Sequence, residues 1–265
     1  MKSESFTEER IALALKNDEF KPYIQPIVSS KDLSISGGEL LLRWCLKDGR
    51  IISAKYFIDL AESAGILSLI TRKLMREAIM EISKMKSSLG DEFFLSANLT
   101  PTLLIDKYFI EECLSIMAES NIQLILELTE HHPFYLNKKT EEAFNILNRA
   151  GVKFALDDFG TGNSVISYLN DFPIHYIKID KAFTRNIFWD KSSYHITKFI
   201  VNLAKNFGIK TVAEGAERLG QICKLNSIGV DYFQGFYFGK PEILHEFCSD
   251  HYHSIEHISA YSDRF

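Results

Sequence analysis

Residues 153–180 read KFALDDFGTGNSVISYLNDFPIHYIKID. Two short apolar runs lie in this stretch, Lys153–Asp157 and Tyr176–Asp180, and each closes on an aspartate. Helical periodicity flanks them, over Lys139–Ala150 on one side and Ser193–Phe207 on the other. Strand-like runs that alternate with amphipathic helices predict a parallel sheet with helical crossovers.

Six further runs repeat the pattern: Tyr23–Val28, Gly37–Trp44, Phe93–Leu99, Leu124–Thr129, Lys210–Ala213 and Tyr232–Phe236. Helical spacing covers Thr7–Lys16, Lys55–Ser63, Ile70–Met85, Pro101–Glu119 and Glu217–Ser227. Eight strands in an α/β chain of 265 residues predict closure into a TIM-like (β/α)8 barrel. The link Ser29–Ser36 is too short for a helix, so a hairpin is expected there and one strand should run antiparallel. An open doubly wound sheet would carry a glycine-rich phosphate loop after an early strand, and no G-x-G-x-x-G occurs. The expected organisation is an N-terminal helix and extension over 1–19, a barrel over 20–248 and a polar tail over 249–265, with a last helix and a frayed end after Glu246.

The chain is 46% hydrophobic and 25% charged, average for a soluble domain that buries a large core. A formal net charge of -5 and the lack of a Lys/Arg run argue against a nucleic-acid polymer or an anionic membrane as partner. The polar start SESFTEE is no signal peptide, and no apolar stretch is long enough to span a bilayer. Cys45, Cys113, Cys223 and Cys248 form no C-x-x-C pair and read as reduced thiols. A soluble, cytoplasmic protein is expected.

Metal-competent polar residues recur in or just after the strand-like runs. The second contains Glu39 and Arg43, the third Asn98, and the fourth Glu127 with Glu130 beyond. Asp157 and Asp158 follow in the fifth, Lys178 and Asp180 in the sixth, Glu214 and Glu217 after the seventh, and Gln234 in the eighth. In a closed barrel the C-terminal strand ends converge on one face, where the catalytic residues of such barrels lie. Acids gathered there repel one another unless cations sit between them. Hard oxygen donors with an adjacent Asp pair suit Mg²⁺ or Mn²⁺. Two such ions about 3.5–4 Å apart activate water and stabilise the leaving oxygen of a phosphate ester.

The strings YIQPIV, GGELLLRW, SANLT, LELTE, GVKFALDDFGTGNS, YIKID, IKTVAEGAE and DYFQGFYFGKP, between Phe20 and Pro241, complete the picture. In that order they resemble EAL-domain cyclic di-GMP phosphodiesterases. The resemblance implies a two-metal hydrolase that opens cyclic di-GMP to linear pGpG. It implies Glu39, Asn98, Glu127 and Asp157 as ligands of a first metal, with Asp157 bridging to a second held by Asp158. It implies Lys178 on the attacking water, Glu214 holding water at the metals, and Asp180, Glu217 and Gln234 as polar groups around them. Gln25 and Arg43 are implied as substrate contacts, Arg43 on a phosphate, and Glu130 as the residue steadying the loop after the fifth strand. Lys178 is a candidate base if adjacent cations depress its pKa; Glu214 is the rival.

The signature here is Glu39-Leu40-Leu41 rather than Glu-Ala-Leu, Val165 stands in place of a second Ser, and Ala216 stands where Val is common. Leu40 is expected in packing. His131 and His132 read as a solvated loop pair. Phe183, Phe188, Trp189 and Tyr194 read as core packing, although in the family this region often forms a homodimer face. Gly160 and Gly162 read as a tight turn. The alternatives are a catalytically weak or inactive EAL-like domain, acting as a cyclic di-GMP receptor or a protein-binding regulator, and an unrelated enolase- or aldolase-like metal barrel.

Overall fold

The computed structural model describes residues 6–85, 93–129, 134, 135, 137–160 and 165–249, with the side chains of 165–167 excepted. Glu130, His131, His132 and Gly162 lie outside the described residues, as does the side chain of Val165.

Ten strands form one sheet: β1 (Phe20–Ser29), β2 (Ile35–Cys45), β3 (Ile51–Ser53), β4 (Phe94–Leu99), β5 (Gln123–Leu128), β6 (Lys153–Phe159), β7 (Tyr176–Ile179), β8 (Lys210–Ala213), β9 (Tyr232–Gln234) and β10 (Glu242–Ile243). Their order is β10-β1-β9-β8-β7-β6-β5-β4-β2-β3, and an additional β1–β2 pairing closes the ring. The barrel is therefore β1, β2 and β4–β9, with β3 and β10 attached outside it. β1 runs antiparallel to both its barrel neighbours, β2 and β9, and the remaining barrel pairs are parallel. The expected hairpin accounts for this reversal: a link of a few residues permits only an antiparallel return.

Inside the barrel, Ile27, Phe94, Ile125, Ala155 and Val212 form a separate apolar cluster with Tyr176 and Tyr232 packed on it. These residues precede the polar positions of their strands by two in the parallel strands, so they form a floor and the polar side chains form the layer above it. Gly37 makes room for this floor. A Cβ there would fall 2.4–2.7 Å from the Phe94 ring.

A larger core lies between the barrel and its helices, and Leu40 belongs to it as expected. Helix Glu8–Lys16 starts on a Thr7 cap and sends the fully buried Ile11 and Ala14 into this same core. The expected helix Pro101–Glu119 is two helices, Pro101–Leu104 and Lys107–Glu119. Asp106 breaks it by capping the second, its carboxylate accepting from the Phe109 N–H at 2.7 Å. Helices Val165–Asp171 and Lys181–Asn186 are additional. The last helix occupies residues 244–249. Phe183 and Tyr194 pack against the core, but Phe188 and Trp189 do not: they are 52% and 85% exposed, which corrects the reading of all four as core. No helix among the described residues is long and apolar enough to cross a membrane. Cys45, Cys113, Cys223 and Cys248 are all free.

Candidate active site

Strand alternation places Glu39 on β2, Glu127 on β5, Asp157 on β6 and Lys178 on β7 in one interior layer, with Glu214 directly after β8. Lys178 is 2% exposed and stands at the centre. Its Nζ lies 2.8 Å from Glu127 Oε2, 2.8 Å from Glu214 Oε1, 3.2 Å from Glu39 Oε2 and 3.2 Å from Asp157 Oδ1. Residues separated by up to 175 positions in the chain thus share one ammonium group.

Side-chain amides complete the layer. Gln234 Nε2 donates to Glu39 Oε2 at 2.6 Å and to Gln25 Oε1 at 3.3 Å, and Asn98 Nδ2 donates to Glu39 Oε1 at 3.4 Å. Gln25 Nε2 donates to the Gly239 carbonyl at 3.2 Å, tying the strand β1 to the loop after β9.

Asp158 should point away from the barrel interior, because successive side chains of a strand face opposite sides. It does not. The β6–β7 register shifts between Leu156 and Phe159, and Asp158 has φ 53°. This irregularity brings ligand oxygens of Asp157, Asp158 and Glu214 within 4.8 Å of one another. Asp180 follows β7 and caps the next helix, accepting from the Ala182 N–H at 2.7 Å. It also meets Asp158 closely enough to help raise the pKa of that residue.

The electrostatics follow from four carboxylates around one cation. Burial opposes charge on Lys178, but the carboxylates of Asp157, Glu127, Glu214 and Glu39 outweigh it and hold its pKa well above the ordinary value. Burial also works to raise Glu39, yet Lys178 and the hydrogen bonds from Gln234 and Asn98 bring it below the usual range. Burial dominates at Glu127 and pushes it well up. Burial, with repulsion from neighbouring acids, pushes Glu214 up to about 7 and Asp158 up to about 6. In this arrangement Lys178 is a hydrogen-bond donor and Glu214 is the group poised to take a proton near neutrality.

Two further residues stand at the rim. Arg43 is half-buried and lies 6.0 Å over the Tyr23 ring. Glu217 does not join the carboxylates around Lys178; it faces Arg185 at 3.6 Å. A cleft of about 370 Å³ opens between β2 and the acids, lined by Arg43, Asn98, Asp157 and Asp158 and walled by Leu40, Ile58, Leu67 and Leu74. Ser53 and Lys55 also line it, and nothing in their sequence context marks them.

The donor set fits hard divalent cations. Every charged donor is a carboxylate oxygen, and acids outnumber the single buried ammonium. Gln234 Oε1 is a buried oxygen with no hydrogen-bond partner among the described residues, and Asp157 Oδ1 has only the ion pair with Lys178 at 3.2 Å, outside hydrogen-bond geometry.

A family model described as the EAL domain matches residues 8–241. Cyclic di-GMP phosphodiesterase PdeL of Escherichia coli (strain K12) is 37% identical over 247 residues, covering 92% of this chain and 68% of that protein. Probable cyclic di-GMP phosphodiesterase PdeG of the same organism is 36% identical over 237 residues, covering 88% of this chain and 47% of that protein. The chain thus spans about two thirds of the first relative and under half of the second. Among solved structures, the EAL enzyme Bd1971 with cAMP and cyclic-di-GMP bound superposes with a TM-score of 0.83 at 28% identity, covering 91% of this chain and 67% of that one. The PaMucR phosphodiesterase in complex with c-di-GMP superposes with a TM-score of 0.78 at 26% identity, covering 90% and 98%.

Proposed function

The chain belongs to the EAL domain family, and from that premise we propose that it is a metal-dependent phosphodiesterase that hydrolyses cyclic di-GMP to linear pGpG. The observation that carries this reading is Lys178 ringed by Glu39, Glu127, Asp157 and Glu214 at the mouth of the barrel, with Asp158 turned in beside them. The relatives named as cyclic di-GMP phosphodiesterases support the substrate.

Glu39, Asn98, Glu127 and Asp157 would hold one Mg²⁺ or Mn²⁺, and Asp157 with Asp158 the other. When bound, these ions supply a lowered pKa for the attacking water and neutralise charge on the phosphodiester. Glu214 follows β8 beside Asp157 and Asp158, with its Oε1 2.8 Å from Lys178 Nζ, and is placed there to take the proton of the attacking water. Lys178 donates hydrogen bonds that orient the same water and fix the carboxylates around it. Arg43 offers its guanidinium to the phosphate oxygens across the cleft. The water oxygen forms the new P–O bond, the bond from phosphorus to the 3′ oxygen breaks, and the proton goes to that departing oxygen. Gln25 and Gln234 hold Glu39 and the rim loop in place for the substrate.

Free cysteines and the acidic balance fit work in the cytoplasm, and the adjacent exposed Phe188 and Trp189 fit burial in a homodimer. The test is turnover of cyclic di-GMP by the purified protein with Mg²⁺ or Mn²⁺, read as pGpG by chromatography and mass spectrometry. Product that disappears on adding EDTA is the expected result. Binding of cyclic di-GMP without turnover would assign a receptor instead.

A further inference from the structure

Lys55 stands in the short 3₁₀ turn Ala54–Tyr56 that follows β3. β3 pairs with β2 so that Ser53 lies directly opposite Arg43, which sets this turn at the Arg43 end of the cleft. Ser53 and Lys55 line that cleft together with Asp157 and Asp158. The ammonium of Lys55 lies 4.8 Å over the Tyr56 ring and has no carboxylate within 4.0 Å among the described residues. Arg43 has no carboxylate within that distance among the described residues either, Glu39 acting on it only from farther off. The cleft therefore opposes an acidic wall with two cations that form no ion pair with an acid among the described residues.

The inference rests on the reading of the site as one that cleaves cyclic di-GMP. That substrate carries two phosphodiesters. Only one can lie among Glu39, Asp157 and Asp158 at a time, so the second anion extends elsewhere along the cleft. Arg43 is half-buried on β2, four residues beyond Glu39, and serves the phosphate at the acids. Lys55 is exposed on a long stem at the outer end of the same wall. We propose that Lys55 anchors the phosphate that is not cleaved. A lysine acts there as a mobile point charge, which suits an anion held at a solvent-facing position.

Steady-state kinetics on cyclic di-GMP with Lys55→Ala, Lys55→Glu and Lys55→Arg tests this. Lys55→Ala raises KM roughly 3–5-fold, the upper part of the range for one ion pair at an exposed site, and lowers kcat less than twofold. Lys55→Glu raises KM further, and Lys55→Arg stays near wild type. The Mg²⁺ concentration for half-maximal activity does not move in any variant, because Lys55 touches no proposed metal ligand. Added KCl raises KM more steeply in wild type than in Lys55→Ala. KM values of Lys55→Ala and Lys55→Glu within twofold of an active wild type overturn the proposal, as does a loss confined to kcat. A wild-type protein that neither cleaves nor binds cyclic di-GMP in calorimetry overturns the functional reading beneath it, a distinct result.

Discussion

Lys178 Nζ lies 2.8 Å from Glu127 Oε2, and both side chains are sealed from solvent. Removing one partner of a buried ion pair leaves the other charge without compensation and costs about 3–5 kcal/mol. Lys178→Met should therefore unfold at lower denaturant than wild type when both are measured in EDTA. Mg²⁺ should recover part of the difference, since added cations replace the lost charge, while turnover stays absent. Equal stability of the two proteins in EDTA would show that the ring of acids relaxes without its lysine.

Cation affinity should rise with pH. Burial and the neighbouring acids push Asp158 up from 3.8 to about 6 and Glu214 up from 4.5 to about 7 in the folded, metal-free protein. Both are partly protonated at pH 6 and must release those protons to bind a cation. Calorimetric titration with Mg²⁺ should show tighter binding at pH 8 than at pH 6, with proton release that declines as pH rises.

The same shifts give the sign for stability. An acid whose folded pKa is raised contributes stability below its unfolded pKa and loses it as pH rises through the folded value. The metal-free protein should lose this contribution between about pH 3.8 and 7, so the stabilisation by Mg²⁺ should widen over that window.

Asp157→Asn and Glu39→Ala should each abolish turnover in a protein whose circular dichroism matches wild type. Glu39 is held in the β2 ladder opposite Gln25 and Ser96, and Asp157 follows Leu156, which is paired on both sides of β6. Full activity in either would contradict the proposed mechanism.

Glu19 offers a control that touches none of the site residues named above. It is buried and accepts hydrogen bonds from Trp44 Nε1 at 2.9 Å, Arg10 Nη2 at 2.5 Å and Asn17 Nδ2 at 3.2 Å. Burial works to raise its pKa, and these three donors outweigh it and hold the carboxyl below the usual range. Glu19→Leu should cost about 3 kcal/mol and leave turnover per folded molecule unchanged. A lowered folded pKa gives stability that is present above the unfolded pKa and lost as pH falls through the folded one. The gap between variant and wild type should accordingly close in acid.

Gly37→Ala places a methyl group against the Phe94 ring and should destabilise by about 1–3 kcal/mol. Phe94→Leu, introduced with it, should remove part of that penalty. A double-mutant cycle on thermal or denaturant unfolding measures the coupling.

The eight barrel strands were legible because each is a short apolar run between turn signals, and the site was legible because its acids fall at fixed places in those runs. β3 and β10 were not, being only 3 and 2 residues long. Asp106 was lost inside an apparently continuous helix because its capping role depends on local hydrogen bonding. The exposure of Phe188 and Trp189 was hidden for a different reason: they lie in the turn between helices Lys181–Asn186 and Lys191–Asn206, and aromatic composition says nothing about which way such a turn faces. At the site, the sequence placed Asp158 beside Asp157 but gave no physical reason for both to face inward. Only the broken register of β6 supplies one. Glu217, equally acidic and equally near a strand end, turns instead to Arg185.

The reversed direction of β1 has a mechanical consequence. Phe20, its first residue, pairs with Trp44 beyond Arg43, so the chain enters the barrel at the catalytic pole rather than the opposite one. β10 pairs with Tyr23 and Ile24 near that entry, so the chain leaves by the same pole. The segments that join the barrel at Glu19, before β1, and at Leu244, after β10, therefore meet it on the side of Arg43, and a displacement of either reaches the reacting groups without crossing the body of the barrel.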